Sequence, residues 1–153
     1  MGWSVGDFLV AWVLLAALGS GLALALKAQG PASWRAGAAL AVITGIALVW
    51  VNGAVGLVGS ERAAINLVFY GLPVAGLAGA AISRFRARGM AVTMAALAAA
   101  QALAALAGLA SGANEGGSNA FATVLGGAVF TLMWACSAAL FAQAARRQAI
   151  RPE

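Results

Sequence analysis

Apolar residues run almost without interruption along this chain, and a few polar breaks divide it into five segments. The first runs over about 5–26 and ends at Lys27, and after a turn containing Pro31 the second covers about 36–58. The third covers about 61–83, the fourth 90–110 and the fifth 121–145. Each is roughly 20–25 residues long, enough to cross a hydrocarbon core of about 30 Å as a helix. In lipid every backbone amide needs an internal partner, and a helix supplies one within its own segment. Barrel strands are excluded, because the apolar residues are continuous and do not alternate with polar ones. The pattern predicts an all-α fold: a transmembrane bundle of five helices forming a single integral membrane domain over 1–153.

The charged residues give an expected orientation. Lys27 and Arg35 fall between segments one and two, Arg84, Arg86 and Arg88 between three and four, and Arg146, Arg147 and Arg151 after segment five. The opposite ends hold Asp7, Glu61 with Arg62, and Glu115. Eight of the nine basic residues thus share one side. The positive-inside rule then puts the N-terminus outside and the C-terminus in the cytoplasm, in the inner (plasma) membrane of a bacterium. Met1 to Phe8 holds no Lys or Arg, so the first segment reads as a span and not as a cleaved signal peptide.

Composition narrows the chemistry. Only 8% of residues are charged and 63% are hydrophobic, against about 25% charged in a soluble domain. The mean hydropathy is +0.95. Histidine is absent and Cys136 is the only cysteine, which removes His-ligated metals, Ser-His-Asp and Cys-His catalysis, and any intrachain disulfide. The pI of about 11.2 is explained by basic residues held beside anionic inner-leaflet lipid. No basic run is interleaved with stacking aromatics, so nucleic acid is not an expected partner. No ionisable group falls at a bilayer midplane, which argues against a proton relay. No cofactor and no enzyme activity are expected.

Small residues recur every four positions: Gly37, Ala41 and Gly45; Gly71, Ala75, Gly79 and Ser83; Ala96, Ala100, Ala104 and Gly108; and Thr123, Gly127, Thr131, Ala135 and Ala139. Such stripes let helix backbones approach closely in lipid. Segment four is largely alanine and only weakly lipophilic, so it is expected to be the most protein-enclosed, with Gln101 bonded across an interface. Pro73 inside segment three frees the carbonyl of Phe69 and predicts a kink. Trp3, Phe8, Trp50 and Phe121 are expected at the outer interface, and Trp34, Phe85 and Phe141 at the inner one. Trp12, Phe130 and Trp134 fall deeper, as packing residues.

Polar side chains gather toward the outer ends of segments two and three: Asn52, then Ser60, Glu61 and Arg62, then Asn66 and Tyr70 leading to Pro73. Asn114, Glu115 and Asn119 lie in the outer loop between segments four and five. Two readings stand side by side. In one, Asn52, Glu61, Arg62, Asn66 and Tyr70 border a shallow outer-leaflet pocket for a small polar or lipid-like ligand. In the other, Ser60 and Glu61 cap a helix and the asparagines join helices. Gln101 belongs with the same polar set. Arg84, Arg86 and Arg88 read either as a topology signal or as a contact for anionic lipid. Cys136, inside an apolar helix, lacks the electropositive, accessible surroundings of a reactive thiol.

The stretches Asn52-Gly53-Ala54-Val55-Gly56, Gly59-Ser60-Glu61, Asn66-Leu67 with Gly71, Ser83 to Ala91 and Gln101-Ala102-Leu103 carry a resemblance. They are similar to an uncharacterised family of small bacterial multi-pass inner-membrane proteins, over roughly segments two to five. Where that family has an acidic-Asn-Pro-Ala stretch, this chain has Arg62-Ala63-Ala64-Ile65. The resemblance marks out Asn52, Glu61, Asn66, Arg84, Arg86 and Gln101 and brings no activity with it. The expected role is a structural or accessory membrane component with membrane lipids, a second copy or another membrane protein as partners. The alternative is an oligomeric carrier, channel or sensor with its site near the outer leaflet.

Overall fold

The structure, a computed structural model, describes residues 5–59, 64–111 and 120–150. It is all-α, with helices α1 (Val5–Lys27), α2 (Ala32–Val55), α3 (Asn66–Ile82), α4 (Ala87–Ala110) and α5 (Ala120–Ile150). Four of them are long and apolar enough to cross a bilayer; α3, Asn66–Ile82, is shorter. At 17 residues, α3 is about 26 Å long. This is a multi-pass membrane protein.

Helix ends differ from the expected ones for local reasons. α2 starts four residues earlier, at Ala32, because Pro31 at φ −63° already has the backbone angle a first turn needs. It stops at Val55, where Gly56 adopts φ 72°, a left-handed angle that glycine takes without a Cβ clash. α5 continues to Ile150, so Arg146 and Arg147 lie on the helix and not beyond it. α3 passes through Pro73 as one helix. The proline faces Gly45, where a β-carbon would lie 3.6 Å from Pro73 Cβ.

α2, α3, α4 and α5 pack in a ring in which each touches the next and α5 returns to α2; α4 against α5 is the most extensive contact. α1 lies outside the ring, on α2. Its close approach is at Gly21, where a β-carbon would come within 2.8 Å of Val42 Cγ1. Only 6% of the apolar window of α1 is buried, against 33% for α4, the highest of the four long helices. The alanine-rich segment is the enclosed one, as its low lipophilicity requires.

The packing seams follow a different period from the small-residue stripes. On α4 the buried positions Ala87, Met90, Met94, Leu97, Gln101, Ala104 and Gly108 alternate steps of three and four. On α5 Thr123, Gly127, Phe130, Trp134, Ser137, Phe141 and Ala144 do the same. This 3.5-residue average is the seam of left-handed helix pairs. A strict four-residue stripe drifts about 40° around the helix at each step, so Ala96, Ala135 and Ala139 turn outward. Gly71 and Ala75 are also exposed, and nothing lies within 4 Å of a β-carbon placed on Gly71. Trp12 is 71% exposed and belongs to the outer surface of α1, not to the packing; Phe130 and Trp134 are in the core. A cross-helix hydrogen bond joins α5 to α2: Ser137 Oγ donates to the carbonyl of Gly37 at 2.8 Å.

Candidate functional site

The turn after α2 does not stay at the surface. Leu57 and Val58 are buried against α5 and α4: β-carbons on Gly126 and Gly108 would lie 2.9 Å from Leu57 Cδ2 and 2.5 Å from Val58 Cγ2. Non-helical backbone in an apolar interior needs partners for its amides and carbonyls. Asn52 and Asn66 supply them. Asn66 Oδ1 accepts from the amides of Leu57 at 3.2 Å and Val58 at 3.1 Å. Its Nδ2 donates to the Val58 carbonyl at 3.1 Å. Asn52 Oδ1 also accepts from the Leu57 amide, at 3.3 Å, while Asn52 Nδ2 donates to the carbonyl of Asn66 at 2.9 Å. The two side chains therefore join the end of α2, the sunken turn and the start of α3, and both are fully or almost fully buried.

Of the other residues grouped with these in the sequence, Tyr70 is half-buried with its hydroxyl 3.2 Å from where a β-carbon on Gly53 would stand. It therefore lies against the last turn of α2. Ser60, Glu61, Arg62, Asn114, Glu115 and Asn119 lie outside the described residues. Gln101 is not part of this cluster. It sits seven residues before Gly108 on α4, about 10 Å further along the bundle. Gln101 is fully buried as expected, but the expected bond across an interface is absent: neither amide atom has a partner among the described residues. Trp134 Nε1 and Thr131 Oγ1 are likewise buried without partners there. A β-carbon on Gly127 would lie 2.6 Å from Ala105 Cβ, and in an antiparallel pair this register sets Thr131 level with Gln101. Midway along α4 and α5, Gln101, Trp134 and the Thr131 hydroxyl thus have hydrogen-bonding capacity unused among the described residues.

At the other end of the bundle a groove of about 790 Å³ is lined by Trp34, Arg86, Arg88 and Arg146, with Gln29 and Gln148 at its rim. In sequence Arg84 groups with Arg86 and Arg88. The structure turns Arg84 away from this lining, because Arg84 occupies the left-handed position ending α3, at φ 52°. The Arg84 amide donates to Ala81 O and the Phe85 amide to Ala80 O, both at 3.0 Å. This pairing is the Schellman arrangement, in which glycine usually holds the left-handed residue. Arg146 replaces Arg84 in the basic group. Its position after segment five marks it in sequence only as part of a terminal basic run; the signal for its grouping is that α4 begins where its antiparallel neighbour α5 ends. Trp34 closes one wall: its indole donates to Phe85 O at 3.3 Å, and its ring meets Phe141 edge-on with centroids 5.8 Å apart.

No family model, curated protein or solved structure matches this chain. Its functional reading therefore rests on its own residues and their geometry.

Proposed function

We propose that this chain is a structural or accessory component of a bacterial inner membrane, without catalytic chemistry, with its N-terminus outside and its C-terminus in the cytoplasm. One observation carries the reading: the outer amides of Asn52 and Asn66 are bonded to the chain's own turn. Side chains spent on holding a buried loop are poorly placed to recognise a ligand. What the molecule presents to its surroundings is apolar helix surface, above all on α1, suited to lipid, a second copy or another membrane protein. The bias of basic residues to one side supports the orientation.

The alternative, an oligomeric carrier, channel or sensor, is favoured by one feature. The unpartnered amide of Gln101, with the unpartnered Trp134 indole and Thr131 hydroxyl on α5, offers polar atoms to a small neutral ligand inside the bundle. Native mass spectrometry in mild detergent separates the two readings. The accessory reading expects no retained polar metabolite and expects Asn52→Leu with Asn66→Leu to lower thermal stability. A stoichiometric polar metabolite that survives purification and is lost in a still-folded Asn52→Leu/Asn66→Leu or Gln101→Met variant would overturn it.

A further inference from the structure

We propose that the basic groove is a binding site and holds the phosphodiester headgroup of one anionic membrane phospholipid. Among the described residues, the lining of the groove holds three arginines and no carboxylate. Arg86 and Arg88 come from the start of α4, and Arg146 from the last turns of α5. Asp7 is the one carboxylate among the described residues, and it stands in the first turn of α1, at the opposite end of that helix from Lys27. Guanidinium groups that line one groove repel one another, an anion between them relieves that repulsion, and guanidinium forks match phosphate oxygens.

The same place has two further features of a headgroup site. Ala87 and Arg88, the first residues of α4, belong to the lining, so the positive end of the helix adjoins the groove. Trp34 forms the wall at the depth where tryptophan meets headgroups. Below the arginines the lining turns apolar, with Ala91, Val92, Ala142 and Ala145.

A second hollow, of about 490 Å³, lies on the α3 side and includes Arg86, Arg88 and Val92 as well, with Ile82 and Thr93. The two hollows therefore meet at the arginines and separate around Val92. That shape fits a glycerophospholipid whose phosphate sits on the guanidinium groups while its acyl chains run down on either side. Lipid, and not a soluble anion, is the committed occupant, because both hollows continue from charge into apolar surface.

Native mass spectrometry of the full chain, loaded from mixed micelles containing equal phosphatidylglycerol and phosphatidylcholine, tests this. The wild-type protein is expected to retain one phosphatidylglycerol at least tenfold more often than phosphatidylcholine. Arg146→Gln alone leaves the arginines between α3 and α4 to direct insertion, and should lower that preference at least threefold. The Arg86→Gln/Arg88→Gln/Arg146→Gln variant should abolish it. Lys27→Gln/Arg35→Gln/Arg147→Gln removes the same charge from the same side but none from the groove, and should keep the preference. Equal retention of the two lipids by the wild type would overturn the proposal, a measurement that needs no variant. So would an equal loss in the control variant, or displacement of the bound lipid by millimolar glycerol phosphate.

Discussion

Replacing Gln101 by methionine probes the centre of the bundle. Gln101 is fully buried and its two amide atoms have no partner among the described residues. In a soluble protein such a group costs roughly 1–3 kcal/mol. In a bilayer the reference is the set of inserted, separated helices, where the amide finds other partners, and a bond between helices averages about 0.6 kcal/mol. Methionine keeps the length of the side chain and removes both polar atoms, and its flexible thioether fits an irregular gap. Gln101→Met should therefore leave the fold intact and raise its stability by about 0.5–1.5 kcal/mol. Gln101→Ala separates volume from polarity: it leaves a cavity in the α4 seam between Leu97 and Ala104, and should cost about 2–3 kcal/mol. Reversible unfolding in mixed micelles, followed by tryptophan emission, measures both; Trp134, only 2% exposed, reports on this region. A loss of more than about 1 kcal/mol in the methionine variant would refute the reasoning, because the amide would then have a partner that a thioether cannot replace.

The two asparagines should differ in the same assay. Asn66→Ala strands the amide and the carbonyl of Val58 and should cost about 3–4 kcal/mol, whereas Asn52→Ala loses two hydrogen bonds but strands no backbone group, since the Leu57 amide keeps its second acceptor and the Asn66 carbonyl is at the start of α3, where the helix bonds it; it should cost about half as much. Gly127→Ala places a methyl 2.6 Å from Ala105 Cβ, an atom fixed to helix backbone, and should cost about 1–3 kcal/mol; Gly71→Ala meets open space and should change stability by less than about 0.5 kcal/mol or raise it. Arg84→Gly relieves a left-handed arginine and should stabilise by about 1 kcal/mol in thermal unfolding. A fluorescent protein fused after Ile150 should fluoresce in a bacterial host while alkaline phosphatase fused there stays inactive, and the reverse result would invert the orientation.

The number and type of helices were legible because the apolar runs exceed what any soluble core needs. What the sequence did not reveal is which face of each helix packs. Four-residue stripes are visible by eye, yet Gly71 and Ala75 face outward, while the seams on α4 and α5 include Met94, Phe130 and Trp134 with the small residues. In a chain rich in alanine and glycine, size alone does not mark a face; the alternation of three and four does. The candidate polar residues were legible one by one. Their grouping was not, because Asn66 serves a turn eight residues earlier and Arg146 meets arginines about 60 positions away only once α4 and α5 pair. Hydrophobic periodicity reports local burial and carries no record of such pairings.

The short third helix and the asparagine pair are two sides of one arrangement. α3 has 17 residues, about 26 Å, against a hydrocarbon core of about 30 Å. A helix too short for the core leaves part of that depth to neighbouring chain, and Leu57 and Val58 enter the bundle ahead of it, filling the space left by Gly108 and Gly126. Their backbone is then out of reach of water and outside any helix. Lipid cannot bond it, so side chains must. Asparagine suits this role, because its amide carries donor and acceptor on a short stem. One at the end of α2 and one at the start of α3 can reach the same turn from both sides. Glutamine at either place would put the amide one methylene too far, so Asn66→Gln should lose nearly as much stability as Asn66→Ala. If Asn66→Gln instead retained wild-type stability, the distances of 3.1–3.2 Å would not be what holds the turn.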